Sequence, residues 1–455
     1  MLAARQIAVG TTAMLIRSAR VPGRGVADVR LAGGRISEIA PRLTREPGED
    51  ELPGRGCWLL PGLHDHHIHL RALAASGASV PLGPPQVRDT AGLAARLAQA
   101  NRELPAGAWL RGTGYHESVA GTLDREALDR LLPERPVRVQ HRSGALWMLN
   151  SRAAELVGLS DCGEPGIERD ASGPTGRLWR MDSWLAGRVE PARLDLAAVS
   201  AAAARLGITG FTDATPDMTD AAVTGLAEAV ASGAIRQRLH CMAPPEVTLP
   251  PTERFSLGPV KILLDDTSLP PLAELADRMT AAHAAGRPVA VHCVTRVQLA
   301  LTQAALDIAG VMHGDRIEHG AVIGTGSLSW LRERGVTVVT QPDFPVERAK
   351  QYACEVPAED RPDLWRLGSL LAAGVGVAAG TDAPFGNPDP WSSMRACTRR
   401  PTGETTGLAR ALRLFQGTAA EPARPRHVAP GAVADLILLD DPVAATIVGG
   451  QLIFG

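Results

Sequence analysis

The stretch Pro61-Gly62-Leu63-His64-Asp65-His66-His67-Ile68-His69-Leu70 places four of the chain's 12 histidines in one short run. Along a strand, residues i and i+2 point to the same face, so His67 and His69 can aim two imidazoles at one metal ion. His64 and His66 have the same spacing on the opposite parity. One pair must face away from the ion, and the pattern alone leaves open which.

Upstream of this run lie short β-like segments at 13–17, 29–31 and 35–39, with turns at Pro22-Gly23 and Gly33-Gly34. The far end of the chain reads the same way at 436–439, 445–448 and 451–454, broken by Asp440-Asp441-Pro442 and Gly449-Gly450. Neither end has helical periodicity. Short β segments at opposite termini are stable only when paired with a neighbour, so one small β-sandwich is expected from 1–60 plus 408–455.

Between the ends, apolar runs at 57–63, 208–213, 237–241, 260–264, 288–291, 315–318, 336–340 and 375–379 alternate with Ala/Leu-rich helical stretches. Eight strands in βα alternation predict an α/β fold, a (β/α)8 TIM-like barrel over 61–407. A chain of 455 residues has room for such a barrel and more. The first two strands lie far apart, whereas the others follow closely. An insertion at 75–205 is therefore expected after strand one, on the side where barrel active sites sit. It carries strand-like runs at 108–110 and 137–140, and a helix from Ser151 with Asn150 as N-cap.

The remaining ligand-type residues follow the strands. Lys261 lies in the fourth strand, His292 ends the fifth, His319 ends the sixth and Asp382 ends the eighth. Five strands each delivering such a residue to one end of a barrel is hard to assign to chance. Neutral imidazoles and a carboxylate suit zinc, one ion or two, with Fe2+ or Mn2+ as replacements. Such an ion lowers the pKa of a bound water from about 15.7 to about 7, worth on the order of 12 kcal/mol at about 1.36 kcal/mol per unit. Asp382 would take the proton from that water and return it to the leaving group.

Lys261 and Lys350 are the only lysines among 47 Lys and Arg residues. Arginine stays charged, whereas a buried lysine can lose its proton and act as a nucleophile. Lys261 has two readings: a neutral amine that captures carbon dioxide to give a carbamate bridging two metals, or a cation that binds an anionic substrate.

The run at 61–70 resembles the PGxxDxHxH signature of the amidohydrolase superfamily, and the order His-x-His, Lys, His, His, Asp matches it across the barrel. The resemblance implies that His67 and His69, with Lys261, His292, His319 and Asp382, form the metal set. It leaves His64 and His66 with lesser roles and puts Asp65 behind the ligands. More specifically the chain is similar to amidohydrolase family 3, the subgroup that includes N-substituted formamide deformylase. The matching stretches are RGTGYHES (111–118), PVRVQHRSGALWMLNSRAAELVGL (136–159), VKILLD (260–265), RIEHG (316–320), TQPDF (340–344), GTDAPFGNPDPW (380–391) and ADLILLDDP (434–442). Ala145 stands where the subgroup has a histidine, Asp266 where it has glycine, and Thr295-Arg296 where it has Gly-Asp. These departures spare the metal set and alter the pocket.

The resemblance implies a hydrolase for a non-peptide C–N bond, that of an N-acyl or N-formyl amide. Deaminases of the superfamily typically carry a glutamate three residues after the fifth-strand histidine, where this chain has Thr295. A heterocycle deaminase is thus an alternative, beside a lactonase or esterase using the same site, and a non-catalytic binding barrel is the distant one. Tyr115, His116 and Glu117 resemble a pocket-lining stretch. His141, Gln341 and Arg180 are further candidate substrate contacts, Arg180 with Arg177 for a carboxylate. Glu318 has the opposite parity to His319 and is expected to pair structurally with Arg316; His283, His313 and Asp315 are read as structural.

A net charge of −2 and a pI near 6.6 count against a nucleic-acid partner. No apolar run approaches the ~18 residues of a spanning helix. The first residues are too interrupted by polar groups for a signal peptide, and Met14 is an alternative start to Met1. Six cysteines without a CxxC pair read as reduced, cytoplasmic thiols. The partner expected is a small amide-like molecule, with a homodimer as the candidate assembly.

Overall fold

Met14–Val21 buries Leu15, Ile16, Ala19 and Val21. In this computed structural model, which describes residues 13–189, 194–400 and 403–455, that strand turns at Gly23 and pairs antiparallel with Gly25–Ala32. Met1, and the parts of the expected sandwich and insertion at 1–12 and 190–193, lie outside the described residues. Met14–Val21 also pairs in parallel with Asp50–Pro53. The chain's other end joins through Trp58–Pro61, which runs antiparallel to Leu436–Leu439; beyond it lie Val443–Val448 and Gln451–Phe454. Strands from both ends of the chain thus join one eight-stranded sheet that branches at Met14–Val21, where Asp50–Pro53 and Trp58–Pro61 share an edge. The two termini join edge to edge because Trp58–Pro61 offers a free ladder to Leu436–Leu439, which leaves a shared apolar face of Ile16, Val29, Leu31, Leu436 and Ile447.

That pairing corrects the first barrel strand. The run at 57–63 is not one strand: Trp58–Pro61 belongs to the terminal sheet, and Leu63–Ile68 is a separate strand with all six residues buried. Gly62 separates them, because a Cβ there would collide with the side chain of Thr209.

Leu63–Ile68, Ile208–Asp213, Arg238–Cys241 and Phe255–Leu257 form a parallel four-stranded sheet. Val260–Ile262, Val289–Cys293, Arg316–His319, Thr337–Thr340 and Val377–Ala379 form a parallel five-stranded one. Helices such as Asp220–Ala231, Leu272–Ala284, Arg296–Ala309 and Thr325–Arg334 follow the strands, the alternation of an α/β protein. The expected fourth strand, 260–264, is Val260–Ile262, and a short strand that the sequence did not suggest, Phe255–Leu257, precedes it. Phe255–Leu257 pairs with Arg238–Cys241, and after Gly258-Pro259 the strand Val260–Ile262 pairs with Val289–Cys293 instead. Proline has no N–H to donate to a ladder, so the two sheets part there. At their other edges they meet through Asp382 N–H to the His67 carbonyl (2.7 Å) and His69 N–H to the Ala383 carbonyl (2.9 Å).

Residues 71–195 are a compact unit of their own, distinct from 13–70 with 196–455. Its six-stranded sheet runs Ile167–Asp170, Gly173–Trp179, Leu146–Leu149, Val137–His141, Leu110–Tyr115, Val80–Pro81. The run at 108–110 is the lead-in to Leu110–Tyr115, and 137–140 falls in Val137–His141. Helix Ser151–Leu156 starts as expected, the Asn150 side chain accepting from Ala153 N–H at 3.0 Å. Helix Leu196–Arg205, placed by sequence inside the insertion, lies outside this unit: Ala204 packs against Val448 and Ile453 of the terminal sheet.

Candidate metal centre

Strand Leu63–Ile68 decides the parity left open by its sequence. His64 Nε2 meets Thr212 Oγ1 at 2.8 Å, and the His64 and His66 rings stack at 4.5 Å. His67 and His69 instead converge on Asp382, with His69 Nε2 at 2.9 Å and His67 Nε2 at 3.5 Å from Asp382 Oδ1. One donor atom from each of the three lies within 4.8 Å of the others. Four ligands held tetrahedrally at zinc bond lengths sit about 3.3 Å from one another, so the spacing fits a single ion.

The neighbourhood fixes each group. Asp65 accepts from Thr381 N–H (2.9 Å), Thr381 Oγ1–H (2.5 Å) and His67 N–H (3.2 Å). Burial raises its pKa to about 6, against the pull of those donors. His67 Nδ1 bonds a carboxylate oxygen of Glu318, whose other oxygen is held by Arg316 Nε. That arrangement leaves Nε2 of His67 to a metal and orients the ring, the usual carboxylate–histidine support of a metal ligand. Burial, with Lys261 next, lowers the His67 pKa to about 3, so the ring is neutral as a ligand must be. Burial opposes ionisation of Asp382, but the hydrogen bond with His69 and the nearby His67, His69 and His319 hold it below the usual carboxylate range. Asp382 and His319 have φ of +55° and +68°, the left-handed region in which non-glycine residues cluster at functional sites.

His319 Nδ1 contacts Gln341 Oε1 at 2.7 Å. The His319 ring lies 4.8 Å from His67 and 4.6 Å from His292, centroid to centroid. Lys261 Nζ is buried with no hydrogen-bond partner among the described residues. Burial lowers its pKa, the charges of Glu318 and Asp382 opposing. An orphaned buried amine beside neutral imidazoles and an ionised carboxylate is a donor set that suits a divalent cation.

An amidohydrolase family profile matches residues 55–454. The chain belongs to the amidohydrolase family. This amidohydrolase is 32% identical over 141 residues to the putative amidohydrolase YtcJ of Bacillus subtilis (strain 168), across 29% of this chain and 26% of that protein. It is 32% identical over 162 residues to N-substituted formamide deformylase of Arthrobacter pascens, across 33% and 30%. The matched stretches thus span under a third of these curated relatives. Among solved structures, an uncharacterized metal-dependent hydrolase from Pyrococcus furiosus superposes with a TM-score of 0.72 at 19% identity, covering 93% of this chain and 98% of that one. N-isopropylammelide isopropylaminohydrolase from Burkholderia multivorans ATCC 17616 gives 0.57 at 18%, covering 97% and 98%. These likenesses are of fold. Family membership agrees with the enzyme expected from the sequence.

Two assignments within the amidohydrolase change. Glu318 does pair with Arg316, but it is also the residue that holds His67, 251 positions away. Its signal in the sequence is a buried acid one place before a strand-end histidine. Tyr115, read as a substrate contact, is fully buried, and its hydroxyl donates to the Gly121 carbonyl at 2.6 Å, so it packs. Gln341 supports His319. Arg177 is taken up by Glu168 (3.1 Å), while Arg180 is exposed. His116 and His141 flank Glu117 in the unit 71–195. His283 bonds Asp315 (3.0 Å) and His313 bonds Glu421 (2.8 Å), as structural histidines do.

Proposed function

We propose that this amidohydrolase hydrolyses the C–N bond of a small N-formyl or N-acyl amide, with its two parallel sheets closed as one (β/α)8 barrel around the centre. The observation that carries this reading is Asp382: ionised, buried, and within reach of both His67 and His69. The residues that would hold zinc are His67, His69 and Asp382, with His292, His319 and Lys261 adjoining. Bound there, such an ion supplies a Lewis acid and a water made acidic enough to act at neutral pH.

The protein's own groups divide the remaining work. The Asp382 carboxylate accepts a proton from the attacking water and passes it to the departing nitrogen, which must leave as an amine. Glu318, anchored by Arg316, keeps the proton of His67 on Nδ1. Gln341 does the same for His319. The burial that lowers the Lys261 pKa favours its neutral amine, the form that captures carbon dioxide, and so supports the carbamate reading over that of a cation for substrate. The formamide substrate class is supported by the likeness to N-substituted formamide deformylase.

Thr295 argues against a deaminase's proton shuttle at that place. Its hydroxyl caps helix Arg296–Ala309, accepting from Gln298 N–H (3.3 Å) and donating to Asp266 (3.0 Å). Six cysteines unpaired among the described residues suit the reducing cytoplasm. The test is a panel of N-formyl and N-acyl amines assayed for amine release before and after chelation. Loss on chelation and recovery with zinc is expected; turnover indifferent to chelation would overturn the reading.

A further inference from the structure

The unit 71–195 contains a second convergence of metal-ligating side chains. Strands Leu110–Tyr115 and Val137–His141 run parallel, and their register pairs Tyr115 with His141. His116 follows the first strand and His141 ends the second, so two imidazoles emerge side by side, with ring centroids 5.7 Å apart. Glu117 stands between them. Its Oε2 is 3.0 Å from His141 Nε2 and 3.9 Å from His116 Nε2, and the three donor atoms all lie within 4.8 Å of one another.

We propose that His116, Glu117 and His141 form a separate binding site for a divalent transition-metal ion of the zinc class. The separations bracket the spacing of about 3.3 Å that a tetrahedral ion imposes on its ligands. Two neutral imidazoles and one carboxylate leave a fourth position open. Each histidine is followed two residues on by a serine, His116 by Ser118 and His141 by Ser143. Each serine places its Oγ at the far ring nitrogen, 2.9 Å from His116 Nδ1 and 2.7 Å from His141 Nδ1. A metal-binding imidazole gives its other N–H to an oxygen, and these hydroxyls are that oxygen.

In the structure the Ser118 and Ser143 backbone N–H groups also donate to these Nδ1 atoms, at 3.1 Å. The ring proton then sits on Nε2, and His141 gives it to Glu117. With an ion bound, each ring would carry its proton on Nδ1, hydrogen-bonded to the serine Oγ, and would offer the Nε2 lone pair to the metal. Glu117 is 42% exposed, against 11% and 13% for the two histidine side chains, which gives an ion a way in.

Zinc titration by calorimetry, with metal analysis, tests the site on the full chain after chelator treatment. Glu117→Gln, an isosteric change at a half-exposed position, should bind one equivalent fewer than the wild-type chain, whatever the other centre holds. His67→Ala/His69→Ala should still bind one equivalent, lost when His141→Ala is added. Unchanged zinc stoichiometry in Glu117→Gln overturns the proposal. So does a folded His67→Ala/His69→Ala chain, checked by circular dichroism, that binds none. The first comparison decides the matter if the double variant does not fold.

Discussion

The two histidine clusters are built alike and supported differently. In both, two imidazoles converge on a carboxylate, from the end of the single strand Leu63–Ile68 in the first and from two neighbouring parallel strands in the second. At Asp382 the ligands are buried, and the far nitrogen of His67 is held by Glu318, itself anchored on Arg316. At Glu117 the carboxylate is part-exposed and the far nitrogens meet serine hydroxyls. A carboxylate makes a histidine a stronger, better-fixed ligand than a hydroxyl does. On the two proposals, the first cluster would keep an ion and use it, and the second would hold one reversibly.

The strongest way to break that contrast is Asp382→Asn, which keeps shape and removes the base. We expect kcat to fall about 10³-fold or more while the far-UV dichroism is unchanged; a near-normal rate would end Asp382's role.

A second buried carboxylate sharpens the point. Among the described residues Asp343 has the Ser393 and Ser392 hydroxyls for support, and burial raises its pKa to about 6, where Asp382 is held low by imidazoles. A raised carboxyl pKa means that the folded state binds more protons than the unfolded chain between about pH 4 and 6. The stability this group contributes is therefore present below about pH 4 and lost as pH rises through 6. Asp343→Asn should gain up to about 3 kcal/mol on the wild-type chain between pH 4 and pH 8, read from urea midpoints at both.

Glu318→Gln should weaken zinc binding at the first centre by about 10–100-fold, measured by chelator competition. Ser118→Ala should weaken zinc binding at the second cluster by less than about tenfold, a hydroxyl being the weaker support; an effect as large as that of Glu318→Gln would erase the distinction.

Much of this was legible beforehand. The alternation of apolar runs with helical stretches, the placing of Lys261, His292 and His319 in strands with Asp382 shortly after one, and the helix start at Asn150 all follow from local pattern. What failed was non-local. The run at 57–63 is uniformly apolar, and only the ladder offered by Leu436–Leu439 shows that it breaks at Gly62. The choice between His67/His69 and His64/His66 rests on Thr212, which takes up His64 from a strand far along the chain. Glu318 could be paired with Arg316 from their i, i+2 spacing, but its partner His67 comes from a distant strand. Tyr115 stands in a stretch that resembles a pocket lining, but its burial is decided by packing that local sequence does not record.

Asp65 has a consequence of its own. With one carboxylate it fastens the strand carrying His67 to the Thr381 backbone and hydroxyl, one residue before Asp382. The seam and the reactive centre are thus one fastening: a chain that unzips between Leu63–Ile68 and residues 381–383 scatters its ligands at once. A half-opened molecule would lack the proposed centre, so the proposed hydrolysis would belong only to chains that have finished folding.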